Sequence, residues 1–397
     1  MHALRLLHKR FTEALPELHA TRRRALFASV EGLLSGHSLW LSELGRHLPG
    51  RAKEKHKIKR VDRLLGNHRL HHERLAIYRW LARWVMGGCR HPSIIVDWSD
   101  VDAARTRFIL RAAVSVGGRA LPVYEEVHER YHHATDQRTF LARLADVLPT
   151  DCAPVIVTDA GFRGPWFEAV TARGWYYVGR VRNRDYARFP AESAWFSAKQ
   201  LYRRARATPC TVGELWLTRS APWKTRAYLY RKPPAGRHRF TVQGKRKRNG
   251  QSEKQATRET EPWLLVSNLP PRRHLAKQVI AIYRDRMTIE EAFRDLKAPR
   301  HGFAFRQNLG RNTMRIASLL LIAAIASVAL WLTGLVGTLR QLDRGLQANT
   351  ERRRRVLSVP FVGKRLIAQR LRFRQRELDS ALQLIQRAIA ERATTFP

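Results

Sequence analysis

Cysteine is nearly missing from this chain: Cys89, Cys152 and Cys210 are its three, widely spaced, and no two form a CxxC pair. That excludes a disulfide framework and a cysteine-based zinc cluster, and it suits a reducing compartment. Acidic residues are scarce as well, 33 Asp and Glu against 74 Lys and Arg, for a formal net charge of +41. A compact protein repels itself at such a charge unless a polyanion offsets it, and nucleic acid is the polyanion that fits. An anionic membrane surface is the competitor, but the cations recur from end to end and are not gathered on one amphipathic segment. The opening stretch "MHALRLLHKRFTEALPELHA" mixes charges into its apolar residues, so no export signal is expected. Long uncharged runs are absent with one exception, Ile316 to Leu335, "IASLLLIAAIASVALWLTGL". It is just long enough to span a bilayer. Its Ala and Ser content and its place after a charged helix suit a helix packed on all sides inside a domain, and that is the expectation.

What remains is ample for folding: 397 residues, 44% of them apolar and 9% aromatic, allow two or three domains with a sizeable core. Residues 1–90 read as a helical DNA-binding domain. In "SLWLSELGRHLPG" and "KEKHKIKRVDRLLGN" two helices flank a Gly/Pro turn; in the second, Ile58, Val61 and Leu65 share a face while Lys57, Lys59, Arg60 and Arg63 occupy the others, the pattern of a helix-turn-helix unit. From Ser93 the period changes. "SIIVDWSD", "RFILRAAVSV" and "RALPVYEEV" read as a three-strand meander with Gly117-Gly118 at one turn; a helix near Asp136 to Leu148, the strand "APVIVTDAGF", a helix around Trp166 to Arg173 and the strand "WYYVGRV" follow. Residues 183–271 break this rhythm with "ELWLTR", "RAYLYRK", "WLLVSNL" and a polar loop carrying Lys245, Arg246, Lys247 and Arg248. They read as a β-rich insertion, and the four cations as a DNA-backbone contact. The predicted core is therefore α/β, residues 91–182 with 272–340. Residues 341–397 form a helical C-terminal region with a helix from Arg370 to Glu391, whose stripe Leu371, Leu378, Leu382, Ile385 and Ile389 suits packing on another helix, in cis or in a partner subunit.

Asp97 and Asp159 each close an apolar run, so each carboxylate is expected at the end of a buried strand, where sheets of this kind place ligands. Two close carboxylates are held together by an oxygen-preferring divalent cation, Mg²⁺ or Mn²⁺; the alternative is that each aspartate merely starts a turn. A third carboxylate comes from "IYRDRMTIEEAFRDLK", Ile282 to Lys297. On one continuous helix Tyr283, Arg286, Glu290 and Lys297 fall within about 60° of one another. Glu291 and Asp295 lie about 100° and 140° round from Glu290, so Glu290 alone shares the stripe. The neighbouring row Ile282, Ile289, Phe293 and Leu296 is apolar and faces a core. Such a stripe brings a metal-ligating carboxylate to the sheet with cations and a phenol to hold phosphates. The paired histidines His71-His72 and His132-His133 lack a matching cluster and are read as surface or nucleic-acid contacts.

Tyr283, two residues, Arg286, three residues, Glu290, six residues, Lys297 resembles the Tyr-Arg-Glu-Lys signature of the bacterial insertion-sequence-four family of DDE transposases. "VDWSD" and "TDAGF" look like its first and second aspartate motifs, in the family's order. The resemblance, over about residues 30 to 340, implies an RNase H-like catalytic core with a β-rich insertion. It makes Asp97, Asp159 and Glu290 the catalytic triad holding two Mg²⁺ or Mn²⁺ ions, with Tyr283, Arg286 and Lys297 on phosphates of the transposon end. It also puts Trp263 where relatives carry a tryptophan that stabilises a flipped base. A cytoplasmic, nucleoid-associated enzyme is expected, acting on double-stranded transposon ends and target DNA as a homodimer, with no membrane partner. Rival readings are a decayed transposase acting as a repressor, an RNase H-like nuclease that cuts without joining, and a membrane protein.

Overall fold

The computed structural model describes residues 2–182, 185–233, 260–307, 310–348, 350–351 and 353–393, so the cluster Lys245–Arg248 lies outside the described residues. The chain folds into two compact units, Met1–Cys152 with Met287–Pro397, and Ala153–Arg286. Both are mixtures of helices and strands.

The larger unit begins with helices α1 (His2–Ala14), α2 (Ala20–Gly36), α3 (Leu41–Arg46), α4 (Glu54–Leu65) and α5 (His68–Met86). The expected pair is present: α3 packs on α4, Val61 and Leu65 are buried, and Lys59, Arg60 and Arg63 face solvent. Strands β1 (Ser93–Asp100), β2 (Phe108–Val116) and β3 (Arg119–His128) make the meander in the order β3-β2-β1, all antiparallel. The β2–β3 turn needs its two glycines, since Gly117 and Gly118 have φ of 52° and 82°, the left-handed pair that a tight hairpin requires. Asp97 is not where the apolar run suggested. Trp98 is buried, the pairing with β2 continues to Asp100, and Asp97 sits mid-strand opposite Arg111.

After α6 (Ala134–Val147) the chain leaves this unit and returns with α9 (Met287–Lys297), α10 (Thr313–Leu339), α11 (Val359–Ala368) and α12 (Gln375–Ala390). Among the described residues α10 is the one helix long and apolar enough to cross a membrane, and 89% of its most apolar window is buried within the protein. It packs against β3, α2, α5, α11 and α12, so its apolar residues find protein on every side. The crossing with α11 is close enough that a Cβ on Gly334 would lie 2.0 Å from the Val359 carbonyl oxygen, and one on Gly363 2.0 Å from that of Leu330. The C-terminal helix starts at Gln375, later than Arg370, because Arg370 takes a left-handed φ of 55°. Its stripe of Leu378, Leu382, Ile385 and Ile389 is buried in cis, against α10, α5 and β2.

The smaller unit runs β4 (Val155–Thr158), α7 (Gly164–Thr171), β5 (Tyr176–Val181), β6 (Tyr186–Arg188), β7 (Phe196–Ser197), β8 (Cys210–Leu217), β9 (Trp223–Tyr230), β10 (Trp263–Ser267) and α8 (Leu275–Arg284). Its strand order is β4-β5-β10-β9-β8-β6-β7. The β4–β5 pair is parallel, as a strand-helix-strand crossover demands, and the remaining pairs are antiparallel. Helix α8 packs across β4, β5, β8, β9 and β10. All three cysteines are free.

Candidate active site

The row Tyr283, Arg286, Glu290 and Lys297 does not lie on one helix. α8 ends at Arg284, Asp285 and Arg286 form a turn, and α9 starts at Met287, so the boundary between the units falls inside the row. Tyr283 and Arg286 belong to the smaller unit with Asp159 and Trp263; Glu290 and Lys297 belong to the larger one with Asp97.

In the larger unit α9 packs its buried Ile289, Ala292, Phe293 and Leu296 against the meander, as the apolar stripe requires. Glu291 and Asp295 are engaged with Arg119 of β3 at 3.5 and 3.0 Å, and Glu291 also pairs with Arg294 at 2.9 Å. Glu290 is exposed on the first turn, where the helix dipole favours a carboxylate. Lys297 closes the same helix at 8% exposure, and its Nζ donates to Ser99 Oγ at 2.6 Å. The last residue of the row is therefore fastened to the strand of Asp97, two residues away. Burial pulls the Lys297 ammonium down to about 8; Asp100 and Asp97 oppose the shift and Arg306 and Arg111 add to it. Asp97 Oδ1 accepts the Trp98 backbone N–H at 2.8 Å, which fixes the carboxylate against its own strand.

In the smaller unit Asp159 follows β4 directly, and its Oδ1 accepts the Gly161 N–H at 2.8 Å, an Asx turn that also holds the carboxylate still. Tyr283 is 4% exposed, with its ring centre 5.0 Å from that of Trp263, edge to face, and Trp263 stands 5.8 Å from Tyr230 in the same manner. Trp263 itself is only half-buried. Arg286 lies over the Tyr283 ring at 5.9 Å, and the Arg180 charge stands close enough to act on its hydroxyl. Burial raises the Tyr283 phenol, with Arg286 and Arg180 opposing, so the group stays a neutral hydroxyl at physiological pH. Glu261 gathers Arg180 at 3.3 Å, Arg182 and the Tyr202 hydroxyl at 3.2 Å. Arg180 is a residue that sequence reasoning passed over. Its signal was a lone cation in the apolar strand "YYVGRV".

Asp97, Asp159 and Glu290 offer hard carboxylate oxygens, two of them oriented by backbone amides, and that donor chemistry suits Mg²⁺ or Mn²⁺. Among the described residues no three His, Cys, Asp or Glu side chains converge as a ready-made cage.

A mixed α/β fold with a strand meander, a strand-helix-strand unit and flanking helices, with Asp97 on its first strand, Asp159 directly after the fourth and Glu290 on a later helix, is that of an RNase H-like core. Residues 89–327 match the model of the Transposase DDE domain, more than half of the chain, and the protein belongs to that family of transposases. DNA is the partner that membership implies. No curated protein matches the sequence.

Proposed function

We propose that this protein is a cut-and-paste transposase of the insertion-sequence-four type, which binds inverted terminal repeats, pairs two ends as a homodimer, nicks, passes through a hairpin and joins the 3′-ends to target DNA. Asp97, Asp159 and Glu290 are its metal ligands. Two bound Mg²⁺ or Mn²⁺ ions supply the activation of a water or 3′-hydroxyl and the stabilisation of the leaving oxygen. Arg286 and Lys297 bind phosphates of the transposon end, Lys297 as a point charge and Arg286 as a fork of donors. Tyr283 holds Trp263 in place as a platform for an extruded base. The 2.6 Å bond from Lys297 to Ser99 carries this reading, because it ties the signature's last residue to the strand of the first aspartate.

Incubation of the purified protein with flanked end DNA and Mg²⁺, resolved on a denaturing gel, tests it. Nicks, hairpins and joined products are expected. Asp97→Asn, Asp159→Asn and Glu290→Gln should each lower cleavage by about a thousandfold or more, with end binding within about twofold of the parent, because each removes a metal ligand and no cation. Glu291→Gln, whose partners are Arg119 and Arg294, should still cleave. Binding with no cleavage by the parent would make the protein a repressor; cleavage without joining, a nuclease. Loss in Glu291→Gln with activity in Glu290→Gln would overturn the assignment of the glutamate.

A further inference from the structure

In the larger unit a cavity of about 440 Å³ opens between α9, α10, the start of α11, the start of β3 and the end of α2. That is the size of a small-molecule site. Its apolar wall comes from Ala323, Ala324, Leu330 and Trp331 on α10 and Phe361 on α11. Ser327 lies in the same wall, and it alone of residues 316–334 is not buried, so the cavity reaches the middle of the most apolar helix. The charged lining is one-sided, Arg111, Arg119, Arg294 and Lys364 against Asp295 alone. The three arginines are answered from nearby: Arg111 by Glu125 at 2.7 Å, Arg119 by Asp295 at 3.0 Å and Arg294 by Glu291 at 2.9 Å. Lys364 is not. Burial and Arg365 lower its pKa, and among the described residues no acid offsets them. His37, which ends α2, shares the lining, and its buried Nδ1 has no hydrogen-bond partner among the described residues. Burial, then Lys364, then His47 pull the His37 imidazole down to about 4, so the ring is neutral at physiological pH and the Lys364 ammonium stands near it.

A packing defect does not have such walls, because cavities that stay empty are apolar throughout. Water alone would satisfy His37 and Lys364 but would leave the α10 wall and the Phe361 ring wet. A ligand with one anionic end and one apolar body suits both parts. Its anion offsets an ammonium that burial disfavours, and a flat body fills the room above the alanines and stacks on aromatic rings. We propose that this cavity binds a small amphipathic organic anion, a ring system bearing one carboxylate, with Lys364 and the Nδ1–H tautomer of His37 at the carboxylate and the wall of α10 at the ring. Asp97, Asp159 and Glu290 do not line it, so the inference stands or falls apart from the metal reading.

The test is isothermal titration calorimetry of the DNA-free full chain with 2-naphthoate at pH 7.5, beside 2-naphthamide and inorganic phosphate. Naphthoate should bind at a single site, with the uncharged amide and the ring-free phosphate each about tenfold or more weaker. Lys364→Met should weaken naphthoate about tenfold and leave the amide within about twofold, a split that lost structure cannot give. Ser327→Leu puts a larger side chain into the cavity and should weaken naphthoate and naphthamide alike, by about tenfold or more. Thermal melting shows whether that variant is folded; if it is not, Ser327→Val, a smaller filling, decides with an expected loss of about threefold for both ligands. The inference is overturned by the absence of saturable naphthoate binding, by amide or phosphate binding as tightly as naphthoate, or by a naphthoate affinity that neither Lys364→Met nor a folded filling variant moves.

Discussion

Tyr283 and Lys297 belong to the same row of four residues in the sequence yet are held in opposite ways. In the smaller unit Tyr283 sits among Trp263, Arg286 and Arg180, and further ties run from Trp263 to Tyr230 and from Arg180 to Glu261. Losing any one of these contacts leaves the others. In the larger unit Lys297 ends a helix with one short hydrogen bond to Ser99 and a charge that its surroundings disfavour. The first arrangement is over-determined by packing; the second keeps a cation in a buried place at a cost in stability, as the proposed role for Lys297 requires. The two should therefore respond to mutation with different balances of stability and activity.

Lys297→Met gives the largest expected effect and the sharpest contrast. Removing a desolvated ammonium should leave the melting temperature unchanged or raise it, while cleavage of end DNA falls by about a hundredfold, roughly 2.7 kcal/mol of transition-state stabilisation. The ammonium also gives a pH signature. Its folded value of about 8 lies below the ordinary 10.5, so between these the unfolded chain binds more protons and the parent's stability rises with pH. Below pH 8 the penalty is fully present, and above 10.5 it is gone. Subtracting the unfolding free energy of Lys297→Met from that of the parent, at pH 7.5 and at pH 9.5, should show the parent gaining about 1–2 kcal/mol. A flat difference, or a variant that melts well below the parent, would place Lys297 with Tyr283 as a packing residue.

Trp263→Ala probes the over-determined side. The indole is half-buried, so truncation should cost less than the ~3–5 kcal/mol of a core tryptophan. End binding and the first nick should persist while hairpin formation slows about tenfold, within the ~1–3 kcal/mol that stacking on a base is worth, so nicked DNA accumulates in a time course. A lowered melting point with nicking and hairpin lost in parallel would leave Trp263 as part of the aromatic packing only. The smallest effect is expected from neutralising Lys245, Arg246, Lys247 and Arg248 together. Binding should weaken alike for every DNA sequence, and the salt slope should fall by up to about 0.9 per lost phosphate contact. An unchanged slope would take these cations out of the DNA surface.

Much of the architecture was legible because it rests on local signals. Apolar runs marked β1 to β5 and β8 to β10, Gly117-Gly118 marked the hairpin, and the row Ile289, Phe293 and Leu296 named the buried face of α9. The angular separation of Glu290 from Glu291 and Asp295 also holds, since the latter two are spent on Arg119. The break between α8 and α9 was not legible. Asp285 keeps right-handed dihedrals, φ −68° and ψ −16°, and no proline or glycine marks the turn, so the side-chain pattern runs on through it. The extension of β1 past Asp97 escaped notice because polar and apolar residues simply alternate there, which a strand end and an edge-facing stretch share. Arg111 with Glu125, and Arg180 with Glu261, became visible only with strand register and tertiary contact, because each cation finds its acid on another element. A charged residue inside an apolar strand was the available hint.

The order in which α10 and its neighbours occur along the chain also governs how the protein must be made. The ribosome releases this largely apolar helix after α2, α5 and β3 but before α11 and α12, whose residues cover its remaining faces and close over Gly334. Between those moments the nascent chain displays a segment that membrane-targeting machinery and other nascent chains read by hydrophobicity alone. Synthesis that stops before Val359 yields a polypeptide carrying both aspartates and the glutamate but only part of the cover for its most apolar rod. Burial of the most apolar segment of this chain is therefore complete only once α11 and α12 have been made.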